Sequence, residues 1–294
     1  MIIPSTWIAV VEGGNVSSKH LFCFGMGFSA RALANRLSEH GWIVSGTSRD
    51  GSGRTMAFHS SRPLPDPART LSSITHLLLS IPPDDDGDPV FNCHSDDLAG
   101  LRNVEWLGYL STTGVYGDHG GGWVDEATPV APTHRLGKRR VLAERIWLNW
   151  AEENKLPMHI FRLAGIYGPG RNALENVGRG TARRIVKPGH VSSRIHVDDI
   201  AAVIEASMYR PDPGTIYNVC DDEASPPQDV IAFAAELLDV EPPKEIPLEQ
   251  AELSPLAASF YLDNKRVRND RIKCELAVRL RYPDYRAGLR AVLK

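Results

Sequence analysis

Apolar residues along the chain gather into short runs separated by amphipathic stretches. The run at residues 21–24 meets Gly25, Met26, Gly27, Phe28, Ser29 and Ala30, and residues 42–46 are apolar again. Between them Ala32, Leu33 and Leu37 share one helical face that Gly41 ends, so the pattern predicts strand, glycine turn, helix and strand within the ~30 residues of a βαβ unit. Further strands are predicted at 56–58, 76–81, 104–110, 158–163 and 217–219. The 76–81 run is largely apolar and stops at Pro82 and Pro83, as a parallel strand covered on both faces does. Helices are predicted at 96–101, 134–155, from 197 through Met208, 226–238 and 264–276. In the long helix Leu136, Ala143, Trp147 and Trp150 form one stripe, with Val141, Leu142, Ile146 and Leu148 alongside. Both stripes call for burial, the second either in a homodimer interface or beneath a loop.

This succession gives the α/β class, a Rossmann doubly wound parallel sheet with a smaller, mostly C-terminal substrate-binding part. Residues 1–18 read as a leader. Residues 19–170 read as the NAD(P)-binding core, completed by 194–222, with 171–193 and 223–294 as the smaller part.

The glycine turn carries the first chemistry. Gly25 turns the chain at positive φ, Gly27 lets the amides of Phe28 and Ser29 approach a pyrophosphate, and Ala30 lets the helix pack close to the strand. A carboxylate at the tip of the second strand would take the ribose hydroxyls of NAD. Here the tip reads Gly46, Thr47, Ser48, Arg49, with no acid before Asp50. Arg49 can pair a 2′-phosphate, which favours NADP over NAD, against the alternative of a solvated loop charge. Ser80 and Pro82, after the 76–81 strand, would pass over the cofactor. Asp84, Asp85, Asp86 and Asp88 read as a solvated loop, not as metal ligands. Ser111, Thr112 and Thr113 follow the 104–110 strand at its carboxyl end, as substrate contacts or as hydroxyls closing a turn. Arg171, Arg179, Arg183, Arg184 and Lys187 would suit an anionic small-molecule substrate. Asp198 and Asp199 begin a helix, so N-capping accounts for at least one of them.

Composition adds limits. The 294 residues are 42% hydrophobic, and a net charge of −3 gives no reason to expect nucleic acid or an anionic membrane as partner. Cys23, Cys93, Cys220 and Cys274 lie far apart, which suggests neither a zinc site nor a disulfide framework and points to a reduced cytoplasmic setting. No apolar run approaches the ~20 residues of a membrane span.

Residues 25–30, 111–117, 162–170 and 194–199, with 217–222 and 264–285, resemble the short-chain dehydrogenase/reductase superfamily, in its extended branch of NAD-dependent epimerases and dehydratases and nearest an atypical, YeeZ-like subgroup. The resemblance implies a cofactor-binding Rossmann fold and an acid/base pair, Tyr-x-x-x-Lys, on the helix after the hydroxyl strand. The run 137–144 matches that helix, which places Leu136 at the tyrosine and Arg140 at the lysine. Leucine cannot carry a proton, whereas Arg140 can still hold the nicotinamide ribose. Thr112 matches the family's hydroxyl partner.

Two readings follow. The chain is an NADP-dependent oxidoreductase or epimerase whose proton is handled by Tyr116, His134 or His119, or it binds NADP(H) without turning it over.

Overall fold

The computed structural model describes residues 19–253 and 255–293; the leader expected over 1–18 lies outside them. Seven strands make the main sheet: β1 His20–Phe24, β2 Ile43–Ser48, β3 Met56–Ala57, β4 His76–Leu79, β5 Trp106–Thr112, β6 Met158–Leu163 and β7 Ile216–Val219. Their order is β3-β2-β1-β4-β5-β6-β7. β1 pairs in parallel with both β2 and β4, and growth outward from it in both directions makes the sheet doubly wound.

The chain folds into two compact units. Among the described residues, one comprises those up to Leu110 with Leu142–Ile160 and Ile204–Thr215; the other comprises Ser111–Val141, Phe161–Val203 and those from Ile216 onward.

In the first unit Leu21, Phe22, Cys23 and Phe24 of β1 and Leu77, Leu78 and Leu79 of β4 are fully buried, as continuous apolar strands in a parallel sheet must be. Helix α1 (Phe28–Glu39) buries Ala30, Leu33, Ala34 and Leu37. It stops at His40, and Gly41 turns away at φ 76°. Helix α2 (Pro89–Ala99) starts earlier than the expected 96. Asp88 caps it, accepting the Val90 and Phe91 N–H groups at 3.0 Å, with proline in the first turn. Asp88 is thus a buried cap and not part of a solvated acidic loop.

Helix α3 (Arg135–Glu153) sinks one stripe only. Ala143, Trp147 and Ala151 are buried, with Phe91 and Trp150 edge-on to Trp147, while Leu142 and Ile146 remain 56% and 41% exposed.

In the second unit Tyr167, Leu174, Val230, Phe233, Ala234, Tyr285 and Leu289 form the core between the short helix Ala173–Gly178, helix α5 (Pro227–Leu237) and helix α6 (Tyr285–Leu293). Helix α4 (Val197–Tyr209) does not use its first aspartates as the sequence suggests. His196 Nδ1 accepts the Asp198 N–H at 3.1 Å, and buried Asp199 instead accepts the Arg281 and Tyr282 N–H groups at 2.8 and 3.0 Å. The expected helix over 264–276 resolves into a short strand, Arg266–Val267, paired in parallel with Trp123–Val124, and a single helical turn, Asp270–Cys274. Among the described residues no helix is long and apolar enough to cross a membrane.

Candidate functional site

The glycine turn of the first unit has the geometry its residues imply. Gly25 sits at φ 94°, and a Cβ there would lie 2.8 Å from Ile81 Cγ1. Its N–H donates to Thr47 Oγ1 at 3.0 Å, and the Met26 N–H donates to the Thr47 carbonyl at 2.7 Å. Gly27 differs: its backbone is extended at φ −81° and a Cβ would meet nothing within 4 Å. The fold itself makes no demand for glycine at 27. Open space beside the first turn of α1 is the cradle a pyrophosphate needs, since the first helical amides have no intrahelical partner and the helix dipole favours negative charge there. Arg31, which no motif singles out, folds back to donate from Nε to the Met26 carbonyl at 2.9 Å.

At the tip of β2 the Asp50 carboxylate is engaged in its own loop. It accepts from Ser48 Oγ at 3.1 Å and from the Ser52 N–H at 3.0 Å, and the Ser52 amide leads the effects that hold its carboxyl below the usual range. Arg49 is exposed beside it. The Ser80 N–H donates to the Phe24 carbonyl at 2.9 Å, and Ile81 lies against Gly25, so this loop does adjoin the turn; Pro82 is exposed.

In the second unit β5 runs on through Ser111 and Thr112, two residues further than expected. Thr112 Oγ1 accepts the Gly114 N–H at 3.1 Å and opens a short turn, Thr113–Tyr116. Ser111 and Thr113 are buried. Two clamps hold the turn. Gly117, at φ 73°, leaves only 2.0 Å between a would-be Cβ and the Ala131 carbonyl, and the buried Lys265 donates to the Gly117 carbonyl at 2.9 Å. Burial holds the Lys265 ammonium below its usual range despite its contact with Asp263 at 3.2 Å.

Tyr116 is fully buried. Its hydroxyl donates to Asn218 Oδ1 at 2.7 Å and accepts from Arg162 Nη1 at 2.9 Å, and burial pushes its pKa up. The Glu126 carboxylate completes the network by accepting the Asn218 N–H at 2.8 Å. Both hydrogen-bonding roles of the phenol are thus filled inside the core, as they are in a structural group. His119 likewise approaches its own turn, with Nε2 3.2 Å from the Tyr116 carbonyl.

His134 stands where α3 begins. Its Nδ1 accepts the Gly137 N–H at 3.0 Å, and its Nε2 lies 3.7 Å from Asp263 Oδ2. The Thr133 hydroxyl donates to the same carboxylate. At Gly137 a Cβ would be 2.7 Å from the Gly114 carbonyl, so the first turn of α3 presses directly on the turn after β5. On that helix Leu136 is 45% exposed and Arg140 is half-buried. Asp263 and Lys265 are not singled out by the sequence, since they lie more than a hundred residues from His134 along the chain.

The basic residues of 171–193 are mostly engaged. Arg179 pairs with Glu175, Arg184 pairs with Glu245, and Lys187 donates to the Tyr261 carbonyl. Arg183 and Arg194 line a cavity of ≈ 250 Å³ together with Tyr167, Asn176, Tyr261 and Tyr285.

Comparison with known proteins bears on this arrangement. The model of the NAD dependent epimerase/dehydratase family matches residues 97–220. Protein YeeZ of Escherichia coli (strain K12) is 30% identical over 269 residues, 77% of this chain and 86% of that protein. A functionally unknown conserved protein from Silicibacter pomeroyi DSS is 51% identical, with TM-score 0.86 over 94% of this chain and 98% of its own. The dTDP-glucose 4,6-dehydratase of Bacillus anthracis str. Ames, solved in complex with NAD, shares the fold at TM-score 0.73 over 94% of this chain and 95% of its own, with 16% identity.

Proposed function

Because the chain belongs to the NAD dependent epimerase/dehydratase family, we propose that it binds NADP in preference to NAD and uses it in oxidoreductase or sugar-nucleotide epimerase/dehydratase-type chemistry on a small anionic substrate. The observation that carries this reading is the glycine turn, where Gly27 leaves room that no protein atom fills. In support of NADP, Asp50 is turned into its own loop and Arg49 projects from the same tip. When bound, the nicotinamide would supply or accept a hydride; the first unit's part is to hold the pyrophosphate on the α1 amides and the ribose phosphate on Arg49 and Ser48, and in the second unit Arg140 is the residue that the family resemblance assigns to the nicotinamide ribose. Thr112 binds the substrate oxygen, and the cavity lined by Arg183 and Arg194 receives the anionic group. The exposed Leu142 and Ile146 support a homodimer through that face of α3, and four free cysteines suit a reducing cytoplasm. Titrating the protein with NADPH and NADH tests the reading. NADPH should bind roughly tenfold to a hundredfold more tightly and Arg49→Ala should narrow the gap, the loss of a charge-assisted bond being worth about 1.5–3 kcal/mol; equal dissociation constants would refute the preference.

One observation favours a second reading, in which the cofactor is held but not turned over: Leu136, which the family resemblance assigns to the tyrosine position, is solvent-exposed and has no proton to give. Incubation with NADPH and a panel of carbonyl compounds and nucleotide sugars decides between them. The double change Leu136→Tyr with Arg140→Lys should raise turnover if only the proton donor is missing, a positioned acid being worth about 10²–10⁴-fold.

A further inference from the structure

Taking the second unit as the part that handles the carbonyl, as in the function above, we propose that Thr112 and His134 form a two-donor notch over Gly114 that holds and polarises one substrate oxygen. The notch takes the place of a protonating side chain. A Cβ built on Gly114 would lie 3.3 Å from His134 Nε2 and 3.4 Å from Thr112 Oγ1, so both groups border the same small space. Each already has one acceptor role filled from the backbone. The Gly114 N–H donates to Thr112 Oγ1 at 3.1 Å, and the Gly137 N–H donates to His134 Nδ1 at 3.0 Å. A hydrogen on Nδ1 would point at the Gly137 N–H, so the ring carries its hydrogen on Nε2. What remains to Nε2 is to donate, and the Thr112 hydroxyl keeps its O–H to give. The nearest carboxylate oxygen, Asp263 Oδ2, is 3.7 Å from Nε2, beyond hydrogen-bond range, and accepts from Lys265, while Oδ1 accepts from Thr133. The Nε2–H is thereby left for a ligand oxygen. Gly114 is absent from the positive-φ glycines, so its backbone does not require glycine; lacking a side chain there keeps the notch open.

A neutral imidazole can polarise a carbonyl in this way, and fixed donors aimed at a developing oxyanion are among the strongest means a protein has of lowering a barrier. A nicotinamide, when bound, would supply the hydride; what the notch itself does is hold the carbonyl oxygen onto which the C=O pair would move. The Thr112 O–H and His134 Nε2–H stabilise that charge, and a solvent water gives the proton that completes the alcohol, leaving hydroxide to the buffer. His134 is thus a donor throughout and never the base.

The tautomer is read by ¹⁵N NMR of the imidazole in the protein without cofactor. The expected result is a neutral ring with hydrogen on Nε2, whose signal moves when acetate, a small oxygen-bearing probe, is titrated in. Gly114→Ala places a methyl in the notch and should abolish the acetate response, leave thermal stability and NADPH affinity within about twofold, and lower carbonyl turnover by about 10²–10³-fold. A hydrogen on Nδ1, an acetate response that survives Gly114→Ala, or full turnover by that variant would each overturn the notch. Failure of NADPH to bind would bring down the proposed function alone, because the tautomer and acetate measurements need no cofactor.

Discussion

Thr47 accepts the Gly25 N–H through its side-chain oxygen at 3.0 Å, while its carbonyl accepts the Met26 N–H at 2.7 Å. The second strand therefore shapes the turn that leaves the first. The glycines alone do not fix that turn, and a residue 22 positions downstream helps to set it.

Thr47→Val keeps the volume of a fully buried side chain but removes the acceptor. The Gly25 N–H then loses its partner, which costs about 1–3 kcal/mol for a buried donor. Urea denaturation should show a loss in that range, and titration should show weaker NADPH binding. A variant as stable as its parent would mean that the bond contributes nothing net.

The two glycines of the turn should respond differently to added bulk. Gly27→Val meets open space and an extended backbone, so the fold should persist while NADPH binding is abolished. Gly25→Ala must adopt φ 94° against Ile81 and should lower stability whether or not cofactor is present. Circular dichroism melts beside binding isotherms separate the two effects, and normal NADPH affinity in Gly27→Val would remove the cradle.

For Tyr116→Phe the expectation is structural. Asn218 and Arg162 each lose a buried partner, so stability should drop by about 1–3 kcal/mol, with NADPH affinity unchanged. Were stability instead preserved and turnover reduced by about 10²–10⁴-fold, the phenol would be the proton donor after all.

Acid should destabilise the protein in a defined window. Burial lowers the pKa of His76 to about 4 from its ordinary 6.5, with Lys19 adding to the effect, and burial lowers that of His190 to about 4 as well. Between those values the unfolded chain binds protons that the folded one refuses, so stability falls as pH drops from 6.5 toward 4 and is level above 6.5 as far as these groups are concerned. Urea midpoints measured across roughly pH 4–8 should show this slope. His76→Phe, which keeps a ring edge-on to Trp42, should make it shallower; an unchanged acid slope would contradict the role given to this histidine.

What is legible in the sequence is what the chain decides locally. The 20–48 unit can be read because glycine turn, amphipathic helix and flanking apolar runs lie close together and agree with one another. Asp88 and Pro89 spell a helix start in the same local language, but the aspartates just before them make the whole look like one acidic loop. Asp199 hides for a different reason: its hydrogen-bond partners, Arg281 and Tyr282, lie far along the chain, and a capping rule sees only neighbours. The approach of Asp263 to His134 is equally distant. A phenol in a core, such as Tyr116, announces itself only through burial, which one sequence does not display.

The alternation of the two units along the chain constrains how the protein is made. The first unit draws its last piece, Ile204–Thr215, from beyond two of the second unit's three segments. During synthesis from the N-terminus, residues up to Leu110 emerge with their glycine turn and early strands but without Trp147, Met158 and Ile204, which belong to the same unit's interior. The nascent segment must wait with apolar surface uncovered until about three quarters of the 294 residues have left the ribosome, at ≈ 5–20 residues per second. Slow translation or truncation before Thr215 would leave that surface without its covering residues and open to aggregation.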